Sequence, residues 1–241
     1  DGQHLLRHAE TMEAAMEAAH AEVSGTGSAL SGHVRIGCTE AFGTYFVAPQ
    51  MANFQDHYPN ISIDVLPVPH FVSLSRREAD IAITLERPAR GPYVTSKLCD
   101  YRLKLYATTD YLAHHPRISS VNDLKAHDFI HYVEALAFSP QLLYLNDIVA
   151  NARSRLRCTS TLAQYHAALQ GRALAILPCF VAEQDPRLVA VLADTVRITR
   201  HFWLSYSEDL RRLKRVTEVA HHLIDAAHNQ KHWLMGEFST P

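Results

Sequence analysis

The residues best placed for chemistry stand where apolar, strand-like runs give way to helix-like ones. Thr39, Glu40, Ala41 and Phe42 follow HVRIGC, and Pro69, His70 and Phe71 follow ISIDVLP. Tyr132, Val133 and Glu134 close FIHY, and Thr159, Ser160 and Thr161 follow RLRC. In an open α/β sheet, ligands collect beyond the carboxyl ends of the strands, where helix N-termini offer free N–H groups. Hydroxyls, an imidazole and carboxylates at such junctions suit recognition of a small polar molecule. The competing role for each hydroxyl is helix capping. Thr161 fits that role best, because Thr161-Leu-Ala-Gln164 has capping-box spacing.

Covalent, cofactor and metal chemistry lack comparable support. Cys38, Cys99, Cys158 and Cys179 are far apart, and each sits in or beside an apolar run, as buried thiols do. No CxxC, GxGxxG, GxxxxGK[ST] or GxSxG occurs. The chain has 16 histidines, but His114-His115 and His221-His222 are adjacent and diverge on a helix. His4 and His8 are spaced as a possible two-ligand pair, yet no HExxH or zinc-finger spacing accompanies them. No catalytic residue, metal or cofactor is expected, and the chain reads as a non-enzyme.

The bulk numbers narrow the partners. The 241 residues are 47% apolar and 20% charged, a globular composition. Lys and Arg total 23 against 25 Asp and Glu, a formal charge of -2. A near-neutral chain is a poor nucleic-acid binder by itself. The longest apolar run, ALAILPCFVA, is about half a membrane span. The start of the chain has no continuous apolar signal region. A soluble, cytoplasmic protein in a reducing compartment is expected.

Those junctions must be positioned by regular elements. Leu5, Ala9, Met12, Met16, Ala19 and Val23 form a heptad-like seam, so residues 1–23 read as a helix that pairs with a second chain. SGTGSALSG, residues 24–32, reads as a flexible linker. Strand and helix patterns then alternate: HVRIGC, TYFVAPQMANFQDHY, ISIDVLP, VSLSRRE, ADIAITL. This implies βαβ units and a mostly parallel sheet. Arg76 and Arg77 fall in the last turn of the short helix VSLSRRE, and Asp80 reads as a local hydrogen-bond acceptor. VTSKLCDYRLKLYATT is too long for one small lobe and is suited to pass between two. Ser120-Val-Asn-Asp123 is a capping box, and SPQLLYLNDIVA reads as a helix with Ser139 as N-cap and Pro140 at N1. TLAQYHAALQ is a helix closed by Gly171, followed by the strands ALAILP, LVAVL and VRITRHFWLSYS. The last helix carries Leu210, Leu213, Val216, Ala220, Leu223 and Ala227 on one face.

SRREADIAI, with PNISIDV before it and RLKLYATTDYL after it, resembles the regulatory domain of LysR-type transcriptional regulators. ALQGRALAILPCFVAEQDPRLVAVL resembles the second-lobe signature of that family. FWLSYSEDLRRLKRVTEVAHHLID resembles its return strand and final helix, and DGQHLLRHAETME its linker helix. The resemblance implies an α/β fold of two Rossmann-like lobes joined by two crossover strands, like a type II periplasmic binding protein. It places lobe I at residues 33–101 and 206–235 and lobe II at 102–205. It implies a small effector between the lobes, a homodimer or homotetramer, and DNA contact only through a winged helix-turn-helix preceding this chain. The effector loops then fall on Thr39 to Phe42, His70, and Tyr132 to Glu134. Glu40 and Glu134 depart from the family's habit of binding organic acids, because carboxylates repel one another. A hydroxyl- or amine-bearing effector, or one paired through His70, is therefore a further possibility beside a simple organic acid.

Overall fold

The computed structural model describes residues 30–68, 74, 78–88 and 91–237, with the isolated positions 9, 12 and 16. Nine strands are present among them: β1 (Gly32–Thr39), β2 (Ile61–Val68), β3 (Ile81–Thr84), β4 (Tyr93–Thr108), β5 (Asp128–Tyr132), β6 (Arg153–Cys158), β7 (Leu174–Pro178), β8 (Leu188–Val191) and β9 (Arg197–Ser207). The helices are α1 (Glu40–Phe42), α2 (Ala48–His57), α3 (Thr109–His114), α4 (Leu145–Ile148), α5 (Thr161–Ala168), α6 (Cys179–Ala182), α7 (Lys214–Asn229) and α8 (Lys231–Leu234). Of the expected helix VSLSRRE only Leu74, in a turn, and Glu78, in a bend, are described; Arg76 and Arg77 lie outside the described residues, as does most of the N-terminal seam. Ala9, Met12 and Met16 are helical.

Strand order is β2-β1-β3-β9-β4-β7-β5-β6, with β8 paired to β4. Within lobe I, β1 is parallel to β2 and β3. Within lobe II, β5 is parallel to β6 and β7. The two trios are joined by the antiparallel ribbon of β4 and β9, registered from Tyr93↔Ser207 to Lys104↔Arg197. The sheet is thus mixed rather than mostly parallel, because the crossover strands enter each lobe antiparallel to their neighbours. It is continuous through the ribbon, yet a crevice opens between the lobes. Leu98 is an extra residue in the ladder, since the register shifts between Lys97 and Cys99.

Asp80 ties β3 to β1: its carboxylate accepts the Arg35 N–H at 2.8 Å, and its own N–H donates to the Arg35 carbonyl at 2.9 Å. The acceptor role holds, although its partner lies across the sheet rather than nearby in sequence. Between α1 and α2 a π-turn spans Gly43–Val47. Pro49 lacks an N–H, and the wider turn just before it absorbs the missing bond. Gly43 has no room for a side chain, because a Cβ there would lie 2.6 Å from both Cys38 Sγ and Pro67 Cβ. This close approach brings α1 down onto the end of β1.

The amphipathic α7 buries Val216, Ala220, Leu223 and Ala227, the face expected from its spacing. Its N-terminal part is instead a 3-10 turn, Glu208–Arg212. Beyond α7 the chain packs against residues of lobe II. Leu234 is buried, Trp233 meets Phe180 at 5.6 Å, and the Gly236 carbonyl accepts from Lys104 Nζ at 3.0 Å. Lys104 also pairs with Glu183 at 2.9 Å, and the Tyr106 hydroxyl donates to the same carboxylate. SPQLLYLNDIVA is not one helix. It breaks at Leu143 (φ -97, ψ 50) between a 3-10 turn at Pro140–Leu142 and the short α4. The break turns Leu142 and Tyr144 inward, and the Tyr144 hydroxyl donates to the Ile176 carbonyl at 3.2 Å. Burial of two large side chains outweighs helix propensity there.

His127 is 1% exposed, with Nδ1 held 2.9 Å from the Tyr111 hydroxyl. Burial pushes its pKa down, and the nearby His115 adds to this against the opposing pull of Asp123 and Asp128. The unfolded chain therefore binds the proton more readily than the folded one. The stabilising contribution is present above the unfolded value of about 6.5 and is lost as pH falls through the lower folded value. Melting temperature should drop on acidification below that point, and His127→Gln should make the drop shallower. Parallel pH profiles for the two proteins would contradict this.

Candidate functional site

The crevice lies at the carboxyl ends of strands from both lobes. β1 ends at Thr39, which leads into α1, so Thr39, Glu40, Ala41 and Phe42 line one wall. β5 ends at Tyr132, and β6 leads through Thr159 to α5, so Tyr132, Thr159 and Thr161 line the other. Ser160 closes the gap by donating its hydroxyl to Glu40 Oε2 at 2.6 Å. Val133 and Glu134 lead away from the crevice. Glu134 lines a neighbouring hollow with Tyr132, His131 and Asn146, and accepts from Asn146 Nδ2 at 3.0 Å. Pro69, His70 and Phe71 lie outside the described residues.

The capping assignment at α5 shifts by one residue. Ser160 is the N-cap and its hydroxyl oxygen accepts from the Ala163 N–H at 3.0 Å. The Thr161 hydroxyl is instead bonded to that of Tyr132. Thr161 thus faces the crevice because the helix starts one residue earlier than capping-box spacing suggests. Sequence reasoning also missed the crevice floor. Tyr101 and Leu103 come from β4, Phe202 from β9, Pro178 from the end of β7 and Phe180 from α6. Tyr101 and Leu103 stand two apart on a strand, so alternation along the crossover was the signal that could have found them. Leu142 and Tyr144 were hidden by the continuous-helix reading of their segment.

A ring stack joins the wall to the floor. Phe46, Phe42, Phe202 and Tyr101 succeed one another at centroid spacings of 4.6, 4.1 and 4.5 Å. Burial raises the pKa of Tyr101, Tyr144 and Tyr132, the last to about 12, so these phenols remain neutral. Burial likewise pushes the Cys38 thiol up to about 12 and Cys179 to about 11, which leaves no activated thiolate there. No cluster that could hold a metal occurs among the described residues. His114 and His115 each turn Nδ1 to a carbonyl of their own helix, and His222 bonds to the Gln50 carbonyl.

The space encloses about 470 Å³ including its open mouth, but only about 30 Å³ admits the centre of a water molecule. That is room for one or two waters. A second bond spans the lobes at the rim. The Ser139 hydroxyl donates to Glu86 Oε1 at 2.6 Å while accepting the Gln141 N–H at 3.1 Å. Two serine N-caps of lobe II therefore each hold a carboxylate of lobe I. The arrangement can bind and clasp.

The family model described as "LysR substrate binding domain" matches residues 27–228. The chain belongs to the LysR substrate-binding domain family. Its relatives are transcriptional regulators. The HTH-type transcriptional regulator PtxR of Pseudomonas aeruginosa is 26% identical over 199 residues, 79% of this chain and 63% of that protein. The regulator CrgA of Neisseria meningitidis is 24% identical over 134 residues, 56% of this chain and 45% of that protein. The chain thus spans less than two thirds of the length of these relatives. The fold matches the CrgA regulatory domain, with TM-score 0.69 and 20% identity over 81% of this chain and 99% of that one. It also matches the effector domain of AmpR from Pseudomonas aeruginosa, with TM-score 0.68 and 18% identity over 83% and 98%. The two-lobed, periplasmic-binding-protein-like α/β fold expected of this LysR-family domain is the one observed. No helix among the described residues is long and apolar enough to cross a membrane.

Ser139→Ala removes both a helix cap and an inter-lobe bond, whereas Glu86→Ala removes only the bond. The first should cost about 1–2 kcal/mol of stability and the second about 1 kcal/mol or less. Urea denaturation of the two variants checks this order; equal losses would mean that the cap contributes nothing.

Proposed function

We propose that this chain is the sensing and oligomerisation part of a LysR-type transcriptional regulator. A small organic effector binds between the lobes and shifts their arrangement, and through it transcription. The supporting observation is the convergence of strand ends from both lobes on one crevice clasped by serine–carboxylate bonds. An effector can bias the lobes only by binding one arrangement better than another, and these clasps distinguish a closed arrangement from an open one. Thr39 to Phe42, Tyr132 and Thr159 to Thr161 are the proposed contacts, joined by Pro69 to Phe71 and by the Val133–Glu134 turn. The effector is an organic acid or a metabolite bearing hydroxyl or amine groups. DNA contact belongs to a segment outside this chain, and the protein acts in the cytoplasm without catalysis.

The lobes are taken as residues 33–101 with 206–235, and 102–205, preceded by the pairing helix 1–23. Met12 and Met16 of that helix are 68% and 63% exposed in the single chain, as apolar seam positions awaiting a second copy would be.

A thermal-shift screen of small metabolites should yield hits, since a ligand at about 100 times its Kd adds roughly 2.7 kcal/mol. Thr159→Trp, which fills the mouth of the crevice from an exposed position, should abolish them. Hits that survive this change would place the site elsewhere. Sedimentation should show dimers or tetramers; monomer alone at roughly tens of micromolar would count against the assembly.

A further inference from the structure

We propose that the crevice, once its clasps part, admits a small organic cation, an ammonium on an apolar or aromatic body, with Glu40 as its counter-ion. This deepens the sensing role proposed above and rests on it. Of the sixteen residues that line the crevice among those described, Glu40 is the only charged one. Among the described residues no Lys, Arg or His is in the lining. The nearby Arg200 has its guanidinium turned to the carbonyls of Gln141 and Thr199, both at 3.4 Å. Against the described lining a carboxylate ligand would therefore enter a largely apolar enclosure with a like charge at Glu40 and no lining cation to meet it, the costly case of an unpaired buried charge.

An ammonium meets the reverse condition. Glu40 is half-buried and already accepts a hydrogen bond at 2.6 Å from Ser160. A charged donor is a stronger partner than that hydroxyl, so it can take the place of Ser160 and open the clasp. Thr39 beside it makes no capping bond to α1, which leaves its oxygen available to a second N–H of the same ammonium. The rest of the lining suits the body of the ligand. Phe42, Tyr101, Phe180 and Phe202 offer apolar and aromatic surface, which accepts a hydrophobic body and also tolerates positive charge.

The test uses three probes that differ only in the head group: 2-phenylethylamine, 2-phenylethanol and phenylacetate. Their affinities are measured by calorimetry on the whole chain, on Glu40→Gln and on Thr159→Trp. Gln keeps an acceptor for Ser160, so the first variant should fold. The amine should bind best and the acid worst. Glu40→Gln should weaken the amine at least about tenfold, the worth of one charge-assisted hydrogen bond, and leave the alcohol nearly unchanged. Thr159→Trp should abolish binding. If phenylacetate binds as well as the amine and Thr159→Trp blocks both, the cation assignment falls while the sensing crevice stands. If Thr159→Trp leaves the amine's affinity unchanged, both fall. If none of the three binds at millimolar concentration, the cation proposal is overturned.

Discussion

Everything about the crevice depends on the pairing of β4 with β9. These are long strands of 16 and 11 residues, and their ladder reaches from lobe I into lobe II. Neither lobe closes its sheet without them: β3 pairs with β9 on one side, and β7 with β4 on the other. The inward face of the ribbon supplies Tyr101, Leu103 and Phe202 as a floor, and their burial ties the stability of the ribbon to the dryness of the site. The same ribbon sets the distance between the carboxyl ends of β1 and β5, and so the size of whatever lies between them.

Across that floor the lobes are held by a repeated chemical device. In each case a serine of lobe II accepts a backbone N–H of its own helix and donates its proton to a carboxylate of lobe I. A hydroxyl can play both parts at once because it carries one donor and two lone pairs. The helix start and the lobe contact are therefore made by one atom, and the helix cap fixes the direction in which the hydroxyl proton points. Such bonds are individually modest, about 1 kcal/mol net in typical cases. That scale suits a contact that must open for a ligand. The C-terminal turn adds a third link, through Lys104 and Gly236, at the far side of the ribbon.

Much of this was legible before any coordinates. Alternating strand and helix patterns located the strands, because apolar residues must face a core on both sides of a parallel sheet. The strand ends pointed to Thr39, Glu40, Tyr132 and Thr159, which do share a crevice. What stayed hidden depended on tertiary competition. The segment from Ser139 has the composition of a helix, yet Leu142 and Tyr144 are drawn inward and break it. Pattern favours Thr161 over Ser160 as the cap, and only the proximity of Tyr132 and Glu40 reverses their roles. The π-turn before Pro49 is similar: the proline is visible, but the wider turn from Gly43, whose backbone lies close to Cys38 and Pro67, is not.

Leu98 interrupts the ladder within the ribbon, between Lys97, which faces Trp203, and Cys99, which faces Phe202. A bulge of this kind bends its strand and sharpens the local twist. It sits one step from Phe202, the ring that links floor and wall. Any change of angle between the lobes would meet, at this point, a backbone position already outside the regular ladder. A buried leucine outside the crevice lining thus sets the local twist of the ribbon beside the ring that joins floor and wall.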